Sequence, residues 1–397
     1  MNITLVATDR DVTRACTHLL PAGISTHVVS LARGLVDRGH EVTLLTGRDD
    51  RGGVDISYRH EDGGGLRVVR LSQESVHAVT AGEGRVGREV ADALEGAAPD
   101  LLHSHGLGGS VLARDASAAF GIPWVAQLHD VSGRIPARTP DAMRRRRVEK
   151  DVARDAGRLI ALCREEASDL VAAGARPDGV DVVHRPYDPA VFDVRGPMLP
   201  RSKRARVVGV VDDFTPASGI TELVKAVSRV PDVSLLVVGG PQSPTPASDA
   251  FLAQTRLTAR QLGVADRMQV TGRLSPMRMA EHLRSADVVV SVPWKSGFAD
   301  HVLEAMACGR PVIASSSGGA LDVIEHGITG ICVPAQSPQR LTDALRMVLC
   351  DREQREQMGQ LARKRVVEGF SLGHVVEGTL GSYDRMLAAS GRRARAS

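Results

Sequence analysis

Short apolar runs recur along the chain, each followed by a turn and then by a stretch with helical spacing. Residues 2–7 (NITLVA) suit a buried strand. After a loop through Pro21, Ala22, Gly23 and Ile24, residues 25–38 set Val28, Leu31, Leu35 and Val36 at helical spacing, and Gly39 stops the helix. Residues 41–46 return to a strand. A strand, a helix and a strand with glycine at the first turn are the layout of a doubly wound sheet. The alternation continues with strands at 67–71, 100–105, 123–128 and 158–163, and helices at 109–119, 141–156 and 165–173. Gly63, Gly64 and Gly65 mark a flexible hairpin-like tip, and residues 73–88 read as a polar loop. Residues 194–205 are rich in Pro and Arg, as a linker is. Beyond them, strands at 207–211, 233–239, 268–271 and 288–292 alternate with helices at 219–230, 249–262 and 275–284. Helices at 339–349, 352–368 and 375–389 close the chain. The pattern predicts an α/β fold of two Rossmann-like domains.

Composition narrows this without redirecting it. The 397 residues are enough for two cores. A net charge of +3 excludes a polyanion binder, so no nucleic-acid partner is expected. Cys16, Cys163, Cys308, Cys332 and Cys350 are scattered without metal-ligand spacing, which suits reduced thiols and a cytoplasmic setting. No apolar run approaches the roughly 18 residues of a membrane span, and the N-terminus enters a strand with no signal peptide. Arg144–Arg147 on the helix at 141–156 form either a lipid-binding face or a solvated surface. The lack of an aromatic or Leu-rich face favours the latter.

The chemistry concentrates at 288–334. A buried strand ends at Pro293, a Gly-containing loop follows, and a helix runs over 300–308 with Asp300 as its cap and Gly309 as its stop. Unpaired N–H groups and the dipole at such a helix start favour phosphate. Glu304, in the first turns, is placed either to accept from a ribose diol or only to offset the dipole. Further back, the strand at 123–128 ends in His129 and Asp130, where open α/β sheets place ligands.

The run LEAMACGRPVIAS (303–315), Gly318-Gly319 and Gly327-Ile328-Thr329-Gly330 resemble the retaining glycosyltransferases of family 4, which have the GT-B fold. The resemblance implies two Rossmann-like domains facing across a cleft: 1–190 for the acceptor, 191–205 as linker and 206–375 for the donor. It also implies a helix at 376–390 crossing back to the first domain, before a disordered tail at 391–397. It assigns donor binding to Ser296, Phe298, Ala299, Asp300, His301, Val302, Leu303 and Glu304, with Arg273 beside them, and makes His129 the catalytic contact to the transferred sugar. Gly23, His105 and Arg134 fall on the acceptor side, although for His105 a structural role is the more expected one. Residues 180–192 resemble the interdomain segment: Asp188 and Phe192 match, while His184, Arg185, Pro186 and Tyr187 depart, facing the cleft.

Four donor-side positions depart together. The family's first acid falls at Ser296. In its Gly-Arg-x-x-Pro-x-Lys-Gly turn, Gly, Arg and Lys become Asp212, Asp213 and Ser218, ahead of Gly219. The family requires no cofactor as a rule. Residues 210–219, however, are similar to the phosphoribosyl-pyrophosphate loop of phosphoribosyltransferases, which makes Mg²⁺ a candidate ion at Asp212 and Asp213. The donor is then either a nucleotide sugar or phosphoribosyl pyrophosphate. The acceptor is expected to be a small polar molecule with several hydroxyls, such as an aminocyclitol glycoside, met by acidic loops including Asp49, Asp50 or Asp130. With 3% aromatic residues, little of the chain can hold a flat aglycone by stacking. A non-catalytic GT-B binding protein is the alternative class. A nucleotide oxidoreductase is not, because no G-x-G-x-x-G follows a strand.

Overall fold

The computed structural model describes residues 1–8, 24–47, 57–59, 64–72, 86–129, 131, 139–200, 203–241, 243–295 and 297–391. The chain divides into two compact units, Met1–Pro186 with Leu372–Ser397, and Tyr187–Ser371. The division falls ahead of the expected linker at 191–205.

The first unit holds β1 (Asn2–Ala7), α1 (Ile24–Val36), β2 (Glu41–Gly47), β3 (Ser57–Arg59), β4 (Gly65–Leu71), α2 (Arg88–Ala97), β5 (Leu101–His105) and α3 (Gly106–Phe120). It continues with β6 (Trp124–Gln127), α4 (Pro140–Asp155), β7 (Arg158–Ala161), α5 (Arg164–Ala173) and β8 (Val180–Val182). The sheet order is β3-β4-β2-β1-β5-β6-β7-β8. All its pairs are parallel except β3 with β4, whose antiparallel pairing joins Tyr58 to Leu66. Of the expected glycine tip, Gly65 starts β4 and pairs with Arg59, and Gly63 lies outside the described residues. The strand order reverses between β1 and β5, which is where such sheets open a ligand crevice.

The second unit holds β9 (Ala205–Val211), α6 (Ile220–Val227), β10 (Val233–Gly239), α7 (Pro246–Gln261), β11 (Met268–Val270), α8 (Pro276–Arg284), β12 (Val288–Ser291) and α9 (Asp300–Ala307). β13 (Val312–Ser315), α10 (Ala320–Val323), β14 (Gly330–Val333), α11 (Pro338–Cys350) and α12 (Arg352–Gly369) complete it. Six parallel strands lie in the order β11-β10-β9-β12-β13-β14. The reversal here is between β9 and β12. Both faces of this sheet are covered, so Val207, Val208, Val288, Val289 and Val290 are all buried.

The last helix, α13 (Leu372–Ala389), belongs to the first unit along its whole length. Val375, Val376, Tyr383 and Leu387 share a core with Val28, Leu31 and Leu35 of α1. Gly34 lets the two helices touch: a Cβ there would sit 2.6 Å from Val376 Cγ2. The returning segment therefore starts at Leu372, ahead of the expected 376. Among the described residues no helix is long and apolar enough to cross a membrane.

Candidate active site

In the second unit, three loops gather at the C-terminal ends of β9, β12 and β13. The turn after β9 packs on the end of β12, where Trp294 donates its N–H to the Ala217 carbonyl at 2.8 Å. Gly219 makes this contact feasible. It has φ +75°, and a Cβ would meet the Val292 carbonyl oxygen at 1.9 Å. The turn after β13 reaches the same corner, with Gly319 donating to the Gly297 carbonyl at 3.0 Å.

The start of α9 lies at this strand-order reversal. Ala299, not Asp300, is its N-cap, and no side chain caps it. Asp300 instead enters the first turn, where a carboxylate offsets the dipole. Val302 and Leu303 are buried in the core, and their N–H groups both donate to the Ala299 carbonyl, at 3.0 and 3.2 Å. Phe298 is half-buried against the same core.

Glu304 is not alone. Its Oε2 accepts from His301 Nδ1 at 2.9 Å, and Asp212 Oδ1 accepts from His301 Nε2 at 2.9 Å. Carboxylates only accept, so both ring nitrogens carry protons and His301 is an imidazolium. Burial opposes that charge, but the bonds to Asp212 and Glu304 outweigh it and hold the pKa well above 6.5. Among the described residues, Glu304 Oε1 makes no hydrogen bond to a side chain and is left open.

The remaining donor-side positions are arranged differently. Asp213 Oδ1 accepts from the Phe214 N–H at 2.7 Å, and Ser218 Oγ donates to the Thr215 carbonyl at 2.7 Å. Arg273 is exposed beyond β11, two strands from the reversal. Ser296 lies outside the described residues.

The first unit holds a cluster of buried histidines at its own reversal point. His105 ends β5, and His129 follows β6 with φ +66°, a conformation uncommon outside glycine. His27 enters from α1. The His105 and His129 rings stack at 5.2 Å, and the His27 ring lies 5.3 Å from His129 and 5.8 Å from His105. Burial, and for His129 the nearby Arg185 charge, hold both His105 and His129 well below 6.5, while His27 falls to about 3. All three rings are therefore neutral.

Their proton positions follow from the partners. Arg185 Nη2 donates to His129 Nδ1 at 3.3 Å, so His129 carries its proton on Nε2 and donates to His105 Nδ1 at 2.9 Å. His105 then carries its proton on Nε2, which is buried and unpartnered. His27 Nε2 donates to Gln127 Oε1 at 3.3 Å, which leaves Nδ1 as a buried, unpartnered acceptor. A donor and an acceptor thus stand unsatisfied on adjacent rings, an arrangement that suits the hydroxyls of a polyol.

His27, His105 and His129 are also close enough to share a metal ion, with candidate ligand atoms within 4.8 Å of one another. The Arg185 guanidinium on the His129 ring opposes a divalent cation there, and Mg²⁺ prefers oxygen ligands. Among the described residues, Asp212 and Asp213 gain no third ligand of the kind a metal requires. One oxygen of each is already committed, to His301 and to Phe214 N–H.

The sequence did not single out His27, and it did not show that His301 joins Asp212 to Glu304. His27 had a readable signal, because it shares the buried stripe of Leu31 and Leu35. Gly23, Arg134, Asp49, Asp50 and Asp130 lie outside the described residues.

Residues 198–365 match the family of glycosyl transferases group 1, and residues 22–186 match the glycosyl transferase 4-like domain. A D-inositol 3-phosphate glycosyltransferase of Kribbella flavida is 30% identical, over 91% of this chain and 90% of that protein. A protein of the same name from Mycobacteroides abscessus is 31% identical, over 73% of this chain and 66% of its own length. Among solved structures, a sucrose-phosphate synthase from Thermosynechococcus elongatus superposes with a TM-score of 0.77 at 21% identity, covering 98% of this chain and 99% of the other. Anabaena HepE in complex with UDP and glucose gives 0.73 at 18% identity, covering 97% and 99%. The fold of the two parallel-sheet units is that of the GT-B glycosyltransferases.

Proposed function

The chain belongs to the group 1 glycosyltransferases, and on that premise we propose that it moves a sugar from a nucleoside diphosphate sugar to a hydroxyl of a small polyhydroxylated acceptor. The observation that carries the donor half is Glu304. It stands in α9 at the strand-order reversal, with Oε1 open to accept from a ribose diol and an uncapped helix start for the diphosphate. The name of the HepE complex, with UDP and glucose, supports the same donor class.

The acceptor half rests on the unpaired donor at His105 Nε2 and acceptor at His27 Nδ1. The resemblance assigns the catalytic contact to His129, whose ring nitrogens bond Arg185 and His105. A cyclitol phosphate, the class in the relatives' names, and an aminocyclitol glycoside both present adjacent hydroxyls of the required kind.

Phosphoribosyl pyrophosphate is the second donor reading, carried by the acidic pair in residues 210–219. The commitment of Asp212 to His301 and of Asp213 to its own loop speaks against it, since both carboxylates would be needed for ribose and Mg²⁺.

The test is a panel of nucleotide sugars with cyclitol and aminocyclitol acceptors, read by mass spectrometry of the products. The expected result is a glycosylated acceptor with one donor class. In Glu304→Gln, turnover should fall about tenfold to a hundredfold, the range of a hydrogen bond to a charged group. Equal turnover in that variant would remove Glu304 from the site.

A further inference from the structure

By the resemblance, the family's Arg and Lys are replaced in this chain by Asp213 and Ser218, and the Gly before them by Asp212. Negative charge has been added where a polyanion must sit, which would repel it unless a cation stands nearby. Among the described residues, the loops and helix forming this corner carry Asp212 and Asp213 after β9, Lys295 before α9, and Asp300 and Glu304 on α9 itself. His301 stands between two of the acids, within hydrogen-bond reach of both, on the first turn of α9. Asp212 is 87% exposed at its side chain, whereas Glu304 is 17% exposed and His301 25%. The clamp thus runs from solvent inward to the carboxylate assigned to the ribose.

We propose that His301 is the positioning residue of the donor site, a bridge that fixes Glu304 and offsets the carboxylates introduced after β9. The inference rests on the nucleotide-sugar reading and deepens it. Holding Oε2 of Glu304 turns Oε1 outward for the diol. The His301 charge beside Asp212 lessens the repulsion that a diphosphate meets at the start of α9. Both effects require both ring protons, because a neutral imidazole has one N–H and can hold only one carboxylate. Donor affinity therefore falls as pH rises through the folded-state pKa of His301, which the two carboxylates hold above 6.5.

The probe is UDP alone, titrated calorimetrically against the full chain from pH 6 to 10. In parallel, NMR follows the His301 ring without ligand. His301→Gln should weaken UDP about tenfold or more at pH 7, the size of one lost charge-assisted bond, and should abolish the alkaline decline. Asp212→Asn should keep UDP binding but move the decline, and the ring's titration, to lower pH. A wild-type protein that binds no UDP would overturn the donor reading itself. Wild-type binding with His301→Gln unchanged in affinity and pH profile would overturn the His301 assignment alone. A ring that titrates at 6.5 in the NMR experiment would also overturn it.

Discussion

Tyr383 and His103 are 280 positions apart and share a hydrogen bond of 2.7 Å inside the first unit. The bond ties α13 to β5 directly beneath the histidine cluster, where the His103 and His105 rings lie 4.2 Å apart. Both partners are fully buried, so neither can turn to water instead. Tyr383→Phe keeps the ring and removes the bond. The expected cost is about 1–3 kcal/mol, the penalty for a buried polar group left unpaired, read as a lowered urea midpoint. A midpoint unchanged from the wild type would show that the bond is not formed.

The neutral histidines make the first unit sensitive to acid. Burial, the largest cause, holds His27 and His103 at about 3, with the Arg185 charge adding to it for His27. Below about 6.5 the unfolded chain takes up protons that these folded rings refuse. Stability therefore falls with pH across the window from about 6.5 down to about 3, by up to about 1.4 kcal/mol per pH unit for each ring. Thermal midpoints should decline as the pH is lowered from about 6.5 to about 5. His103→Asn should give a shallower decline. A decline of the same slope in that variant would contradict the assignment.

Gly219 is the position in the second unit least able to accept a side chain. Its positive φ and the 1.9 Å approach to the Val292 carbonyl leave no room for Cβ. Gly219→Ala should destabilise the unit by about 2 kcal/mol or more. The loss should appear as a lower denaturation midpoint together with weaker UDP binding, because the same turn carries Asp212. A loss of stability below about 0.5 kcal/mol would place the turn elsewhere.

The parts of this protein that are local in the chain could be read from it. The strand at 233–239 and the helix starting at 352 were expected at the residues where β10 and α12 begin, because each is fixed by its own apolar run or flanking cap. The α/β class and the two parallel-sheet units followed from the alternation of such runs. β3 escaped notice because three residues carry no periodicity. α7 begins at Pro246, earlier than expected, because Thr245 and Ser248 form a reciprocal capping box that outweighs the later start suggested by Asp249.

The site was legible only as single residues. Glu304 and His129 stood out by their place after strands, but the networks around them are completed from elsewhere. Asp212 is 89 positions from His301, and Arg185 is 56 from His129. An acidic pair read in isolation suggests a metal. Asp212 paired with His301 suggests a charge already partly offset. Nothing in the spacing of residues 212 and 301 encodes that difference. It arises because the sheet order places β9 next to β12.

The most direct test of the account is donor-dependent turnover in EDTA, comparing the wild type with Asp213→Asn. Asp213 is held by its own loop and is not required for a nucleotide sugar. The account predicts turnover with a nucleotide sugar that is undiminished by EDTA and little changed in the variant. Turnover found only with phosphoribosyl pyrophosphate, abolished by EDTA and by Asp213→Asn, would contradict it.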